Sequence, residues 1–176
     1  MINSRTKFFF FAICALSLFY LIGCGWQWQR YNNQEYKFSI LFPRFWEIEE
    51  GTLNTVVMAR APLKNKQAQF RDNINVVVTE PPQEIKLSTF FELNKDMLTS
   101  KVAALDNLLD GDIYAGFLPG KWLSFEGRMG DLKLKIISAV WIKGKRIYTV
   151  TCASEAKDFS KNEQLFNTVL RSLRVR

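Results

Sequence analysis

The chain of 176 residues contains no histidine. That absence excludes Ser-His-Asp and Cys-His hydrolases, HExxH metalloproteases and every His-ligated metal site. It also leaves no side chain whose ordinary pKa lies near neutrality. Cysteine is scarce, at three residues, and glycine and proline number nine and five. A disulfide scaffold and a collagen-like or disordered chain are thereby excluded. No GxGxxG or Walker spacing occurs, so no glycine-rich loop is present to cradle a phosphate. What remains is 48% hydrophobic, 23% charged and 14% aromatic, the composition of a globular protein.

The clearest signal lies in residues 1–23. Arg5 and Lys7 form a short positive head, and Phe8 to Ile22 follow without a charge. As a helix this run would be about 22 Å long, short of the ~30 Å hydrocarbon core. A charged head with a short apolar segment reads as a secretory signal peptide. Leu21-Ile22-Gly23-Cys24 at its end resembles the lipobox of bacterial lipoproteins. The resemblance implies cleavage before Cys24 and attachment of diacylglycerol to its thiol, with acylation (palmitate or a related chain) of the new amino terminus. Two or three acyl chains at about 0.8 kcal/mol per buried methylene make a stable anchor. An uncleaved anchor and an ordinary signal cut elsewhere are the alternatives. Residues 24–34, with Gln and Asn prominent, read as anchor and tether, and 35–176 as one domain. Trp26 and Trp28 are then candidates for the membrane interface, where indoles are favoured, or for packing on the domain.

Losing Arg5 and Lys7 with the signal takes the formal charge from +7 to +5. In an exported chain such a balance points to anionic headgroups or acidic protein surfaces, and not to nucleic acid. Cys14 leaves with the signal and Cys24 carries lipid, so Cys152 alone remains and no intramolecular disulfide is expected. Its place in the strand-like run 146–153 predicts a buried, inert thiol.

Within the domain, apolar alternation and turn residues predict strands over 36–42, 46–49, 54–61 and 73–79. The period then lengthens. Ser88 is positioned to cap a helix reaching about Leu105, with apolar residues from Phe90 onward at spacings of three, four and seven. Four further strands are expected at 111–118, 121–129, 132–143 and 146–153. Their joints are Pro119-Gly120, Gly130-Asp131 and Gly144-Lys145, short enough to require antiparallel neighbours. Ser160-Lys-Asn-Glu163 has the form of a capping box for a last helix with a stripe of Leu165, Phe166, Val169, Leu170 and Leu173. The order predicts an α+β fold, an antiparallel sheet of about six to eight strands flanked by two main helices.

That order resembles the PsbP-like family. Tyr36-Lys-Phe-Ser-Ile-Leu-Phe-Pro43 followed by Trp46 is similar to the family's opening strand, Pro and Trp. Asn73-Ile-Asn-Val-Val-Val78 before an amphipathic helix is similar to its central strand and helix, and Phe166 to Arg174 to its closing helix. Phe45 departs from the Gly that the family often has before the Trp. The resemblance implies an α/β/α sandwich and covers nearly the whole mature chain, but it consists of core and turn chemistry and so speaks to fold. Family members include lipid-anchored bacterial proteins and photosynthetic ones that assist photosystem II. No residue specific to the photosynthetic role is visible here.

Candidate chemical sites are few. Glu47, Glu49 and Glu50 cluster, and solvated carboxylates are expected there in place of an acid/base pair. Asp106, Asp110 and Asp112, around Gly111, offer hard oxygen ligands in an acidic turn at 106–112, without the spacing of an EF-hand. Lys121 and Ser124 lack an S-x-x-K pattern. Trp122, Trp141 and Tyr148 would mark a partner site if exposed together, although strand alternation sends many of them inward. Arg171, Arg174 and Arg176 suit a solvated helix C-terminus.

These readings lead to a non-enzymatic envelope module, anchored by lipid at Cys24, that needs no cofactor and contacts a membrane-associated protein. The alternative is a module that binds a small ligand or a divalent cation at 106–112. Gly25 after the cysteine is not the Asp that resembles an inner-membrane retention signal. In a two-membrane cell this favours a periplasm-facing position on the outer membrane.

Overall fold

The computed structural model of the chain describes residues 27–66, 68–102 and 104–176. Its strands are β1 (Trp28–Asn33), β2 (Phe38–Pro43), β3 (Glu47–Glu50), β4 (Val57–Arg60), β5 (Asn73–Thr79), β6 (Asp106–Ala115), β7 (Leu118–Met129), β8 (Leu132–Lys143), β9 (Arg146–Glu155) and β10 (Arg174–Val175). The helices are α1 (Leu87–Lys101) and α2 (Phe159–Ser172), with a short 3-10 turn at Thr52–Asn54. Seven strands form one sheet in the order β3-β4-β5-β9-β8-β7-β6, and a smaller sheet has the order β1-β2-β10. Each pairing in both sheets is antiparallel. The expected α+β architecture with two main helices is present.

Strand register sorts the side chains of the large sheet. One face presents Ala59, Ile74, Val76, Ala139, Trp141, Val150 and Cys152. Against them pack Leu165, Phe166, Val169 and Leu170 of α2, together with Phe38, Ile40 and Phe42 of the small sheet. Each such side chain withdrawn from water contributes about 1.5–3 kcal/mol. The opposite face is covered only in part. Phe91 of α1 packs there on Leu123, Phe125, Val140 and Ile147.

Three element boundaries differ from the sequence reading. Residues 28–33, read as tether, form β1, because β2 needs a partner on that side and Tyr31 packs its ring on Phe38 and Phe42 at 5.9 and 6.0 Å. The joint between β6 and β7 is Gly116-Phe117, not Pro119-Gly120. Gly116 has φ +65°, and Ala115 pairs with Leu118, so the turn is a two-residue hairpin of the Gly-first type. Gly120 lies inside β7, where a Cβ would come within 2.4 Å of the Trp141 ring packed over it. Helix α1 stops at Lys101. Val102 is extended and directs its side chain onto Gly127, so Val102 and Leu105 pack on the sheet from outside the helix.

The helix starts differ as well. Lys86, not Ser88, is the N-cap of α1, and no side chain caps it. The capping box at Ser160 and Glu163 does not form. Asp158 is the N-cap of α2, and its carboxylate accepts from Lys161 at 2.6 Å and Lys64 at 2.9 Å in place of backbone amides.

Candidate functional site

The residues singled out from sequence do not converge. Asp106, Asp110 and Asp112 lie on strand β6, not in a turn, and each faces a lysine. Asp106 is 3.9 Å from Lys133, Asp110 pairs with Lys95 of α1, and Asp112 is 3.0 Å from Lys121. The hydrogen bond from Lys95 to Asp110 raises the lysine pKa, so both groups are held as an ion pair. Alternation sends Asp110 and Asp112 to the α1 face while Gly111 faces the other side against Trp122. Among the described residues no three acidic or sulfur ligands gather around a common point.

Glu47 and Glu49 are bound to Arg71 and Arg60, both at 2.8 Å, and Glu50 accepts a hydrogen bond from the Tyr31 hydroxyl at 2.7 Å. These carboxylates are structural partners on one edge of the sheet. Lys121 and Ser124 sit three apart on β7 and therefore face opposite sides. Trp141 and Tyr148 are buried together in the core, and Trp122 is half-buried beside it. Tyr148 donates its hydroxyl to the carbonyl of Tyr36 at 2.8 Å. The indole N–H of Trp141 is buried without an acceptor among the described residues. Cys152 is fully buried, and burial pushes its thiol pKa up, far from thiolate chemistry. Cys24 and Trp26 lie outside the described residues. Trp28 belongs to β1 and packs against the core.

Of the recesses among the described residues, two lie between the large sheet and a helix. The first, about 240 Å³, lies between α1 and strands β7 to β9. Phe90, Phe91, Met97 and Leu98 form its roof, and Leu123, Phe125, Ile136 and Val140 its floor. On one side Ser138 and Thr151 close the floor with their hydroxyls 3.0 Å apart, and Thr149 extends the hydroxyl strip. Asn94 at the roof spends its amide on the Phe90 carbonyl at 2.7 Å. Among the described residues no ionisable group lines this slot. It exceeds the ~150 Å³ that holds a benzene molecule, and its chemistry is that of binding an apolar group.

The second cavity, also about 240 Å³, lies between β6 to β8 and α2. Trp122 and Ser124 meet Lys135, Glu163, Asn167 and Arg171 there. Lys135 holds its ammonium 4.8 Å above the Phe159 ring. No hydrogen bond joins Ser124 to Lys135, so the pair is not assembled as nucleophile and base. These linings escaped the sequence reading because each joins residues from three or more elements, and only register brings them together.

Beyond the cavities, one feature had a local sequence sign. Phe117 follows Gly116 at a hairpin tip and is fully exposed, with Tyr114 beside it more than half exposed. Gly followed by a large residue between two strands is the mark of such a tip.

No protein-family model and no curated protein sequence matches the chain. Solved structures do. The cyanobacterial PsbP protein CyanoP of Synechocystis sp. PCC 6803 superimposes with a TM-score of 0.64 at 17% identity, over 88% of this chain and 96% of that one. LpqN of Mycobacterium tuberculosis, described as involved in cell envelope biogenesis, gives 0.65 at 7% identity over 85% and 90%. A Pseudomonas aeruginosa protein of unknown function gives 0.60 at 10% identity over 85% and 98%. At such identities the likeness is one of fold, and the fold of this chain is PsbP-like.

Proposed function

We propose that the chain is a lipid-anchored accessory module of the cell envelope that binds a membrane-associated protein and catalyses no reaction. The observation that carries this reading is the short distance between anchor and fold. Cys24 precedes Gln27, the first described residue, by three positions, and β1 begins at Trp28. Three extended residues reach about 11 Å at most. A domain held that close to the bilayer works on what the membrane itself presents. The two cavities beneath the helices support binding over catalysis, since one has no ionisable lining among the described residues and the other has no joined nucleophile and base. A PsbP-like fold shared with an envelope-biogenesis protein agrees with that setting. No helix among the described residues is long and apolar enough to cross a membrane.

Metabolic labelling with palmitate and membrane fractionation test the reading. Wild type is expected to take up label and sediment with membranes, and Cys24→Ala to lose both. An unlabelled wild type, or a Cys24→Ala chain held as firmly as wild type, overturns the lipid anchor. Turnover of a substrate by the released domain overturns the accessory role.

A further inference from the structure

The seven-stranded sheet has two ends of different character. At one end the chain enters β1, where the Arg44 amide donates to the Gln27 carbonyl at 2.7 Å. Several cations toward this end have carboxylate partners, Lys64 and Lys161 with Asp158, Lys133 with Glu126, Lys157 with Glu155 and Arg71 with Glu47, while Arg44 donates to the Gln27 side-chain oxygen at 3.3 Å.

The other end lies six β1 residues away, about 20 Å. Three turns and the last strand meet there. Arg146 donates to the Glu35 carbonyl at 3.0 Å, Lys143 to the Val175 carbonyl at 3.0 Å, and the Arg176 amide to the Lys37 carbonyl at 2.8 Å. Arg174 packs its side chain against Gly116. Lys37, Lys143, Lys145, Arg174 and Arg176 are all exposed on this end. None of the five has a carboxylate partner among the described residues. The side-chain acids close by are Glu35 and Glu80, and Glu80 is taken by Arg146 at 2.6 Å. At the β6-β7 edge of this basic end stands Phe117, fully exposed on a two-residue turn and beside Lys143 and Arg174.

We infer that this end is the docking surface for the protein partner, and that the partner offers a carboxylate-rimmed recess which receives the Phe117 ring. The inference rests on the proposed membrane attachment before residue 27. That attachment enters the fold at the opposite end, so the basic end faces away from the bilayer. Cations without carboxylate partners beside one exposed aromatic are the pattern of a partner site, in which the buried ring supplies affinity and the charges steer encounter. Without the geometry of attachment, the same residues would suit an anionic lipid surface equally well.

The full-length chain in its native membranes tests this with a photocrosslinking amino acid in place of Phe117, and in a second chain in place of Phe45 at the anchor end. Position 117 is expected to give a discrete protein adduct whose crosslinked partner peptide is rich in Asp and Glu. Its yield is expected to fall about tenfold in the Lys143→Glu, Lys145→Glu background and on raising salt. Both lysines are exposed, and an unchanged thermal midpoint confirms that the fold persists. Three results overturn the inference: a protein adduct only at position 45, no protein adduct at either position, or lipid adducts at 117 together with binding of the released domain to phosphatidylglycerol vesicles. Fractionation of the same membranes separates the two readings. If Cys24→Ala stays membrane-bound while the 117 adduct persists, the lipid anchor fails and the docking surface stands.

Discussion

At the residue scale the least replaceable polar side chain is Asp72, which lies just before β5 and is 4% exposed. Its carboxylate accepts from Ser154 of β9 at 2.8 Å and from Asn162 of α2 at 2.9 Å, and Lys64 approaches it at 3.2 Å. One buried group therefore ties the entry of β5, the end of β9 and the first turn of α2. Asp72→Ala would leave the Ser154 hydroxyl and the Asn162 amide buried without this acceptor, at a cost of about 3 kcal/mol. Asp72→Asn keeps one acceptor oxygen and should cost less. Urea denaturation of the released domain measures both, and a loss under about 1 kcal/mol for the alanine variant would show that the network relaxes. Nothing in the sequence marks Asp72, because its partners lie 82 and 90 residues away. By contrast, Cys152 was legible as an inert core residue, since the alternation of β9 alone sends it inward.

At the scale of elements, what could be read was what local chemistry determines. β5 matches its expected span, and β8 does too, because turn residues bound each of them and their apolar residues are consecutive or alternate. The hairpins at Gly130-Asp131 and Gly144-Lys145 follow for the same reason. β1 was not legible, since a polar strand acquires its structure from the edge it completes. The acidic strand β6 was mistaken at its start for a turn, because three aspartates and a glycine weaken strand propensity locally while pairing with β7 overrides it. Helix α1 shows the same dependence on context. Phe91 is its one buried side chain, its N-cap is an uncapped lysine, and Leu93 and Met97 are exposed. Lys86 is exposed and has the extended backbone that an N-cap requires. Lys86→Asp is therefore expected to stabilise the domain by about 1 kcal/mol through a bond to the free amides of the first turn and a favourable charge at the dipole. Chemical denaturation is the measurement, and an unchanged or lowered stability would show that these amides already have partners.

At the scale of the molecule, the overall positive charge was legible, but its distribution was not. Composition cannot tell that five exposed cations without a carboxylate partner among the described residues gather at the end that carries Phe117; sheet register decides that. The arrangement gives the domain a direction. Phe45, 72% exposed, stands next to Arg44 at the end where the chain enters β1, and Lys145 stands at the other end. If Cys24 carries the proposed acyl chains, the three residues to Gln27 span about 11 Å at most and would hold the Phe45 end near the headgroup layer, where aromatic side chains are favoured. The purified full-length chain in phosphatidylethanolamine and phosphatidylglycerol vesicles has no partner to shield either end. Single cysteines at Phe45→Cys and Lys145→Cys can then be compared with a membrane-impermeant maleimide, because Cys152 is buried and does not compete. Lys145→Cys is expected to label about tenfold faster than Phe45→Cys, since the probe must enter the headgroup layer to reach the latter. Detergent should equalise the two rates. Equal rates in vesicles would mean that the domain tumbles freely on its attachment, and slower labelling at 145 that it lies on its basic end, in which case the bilayer and not a protein is what Phe117 meets.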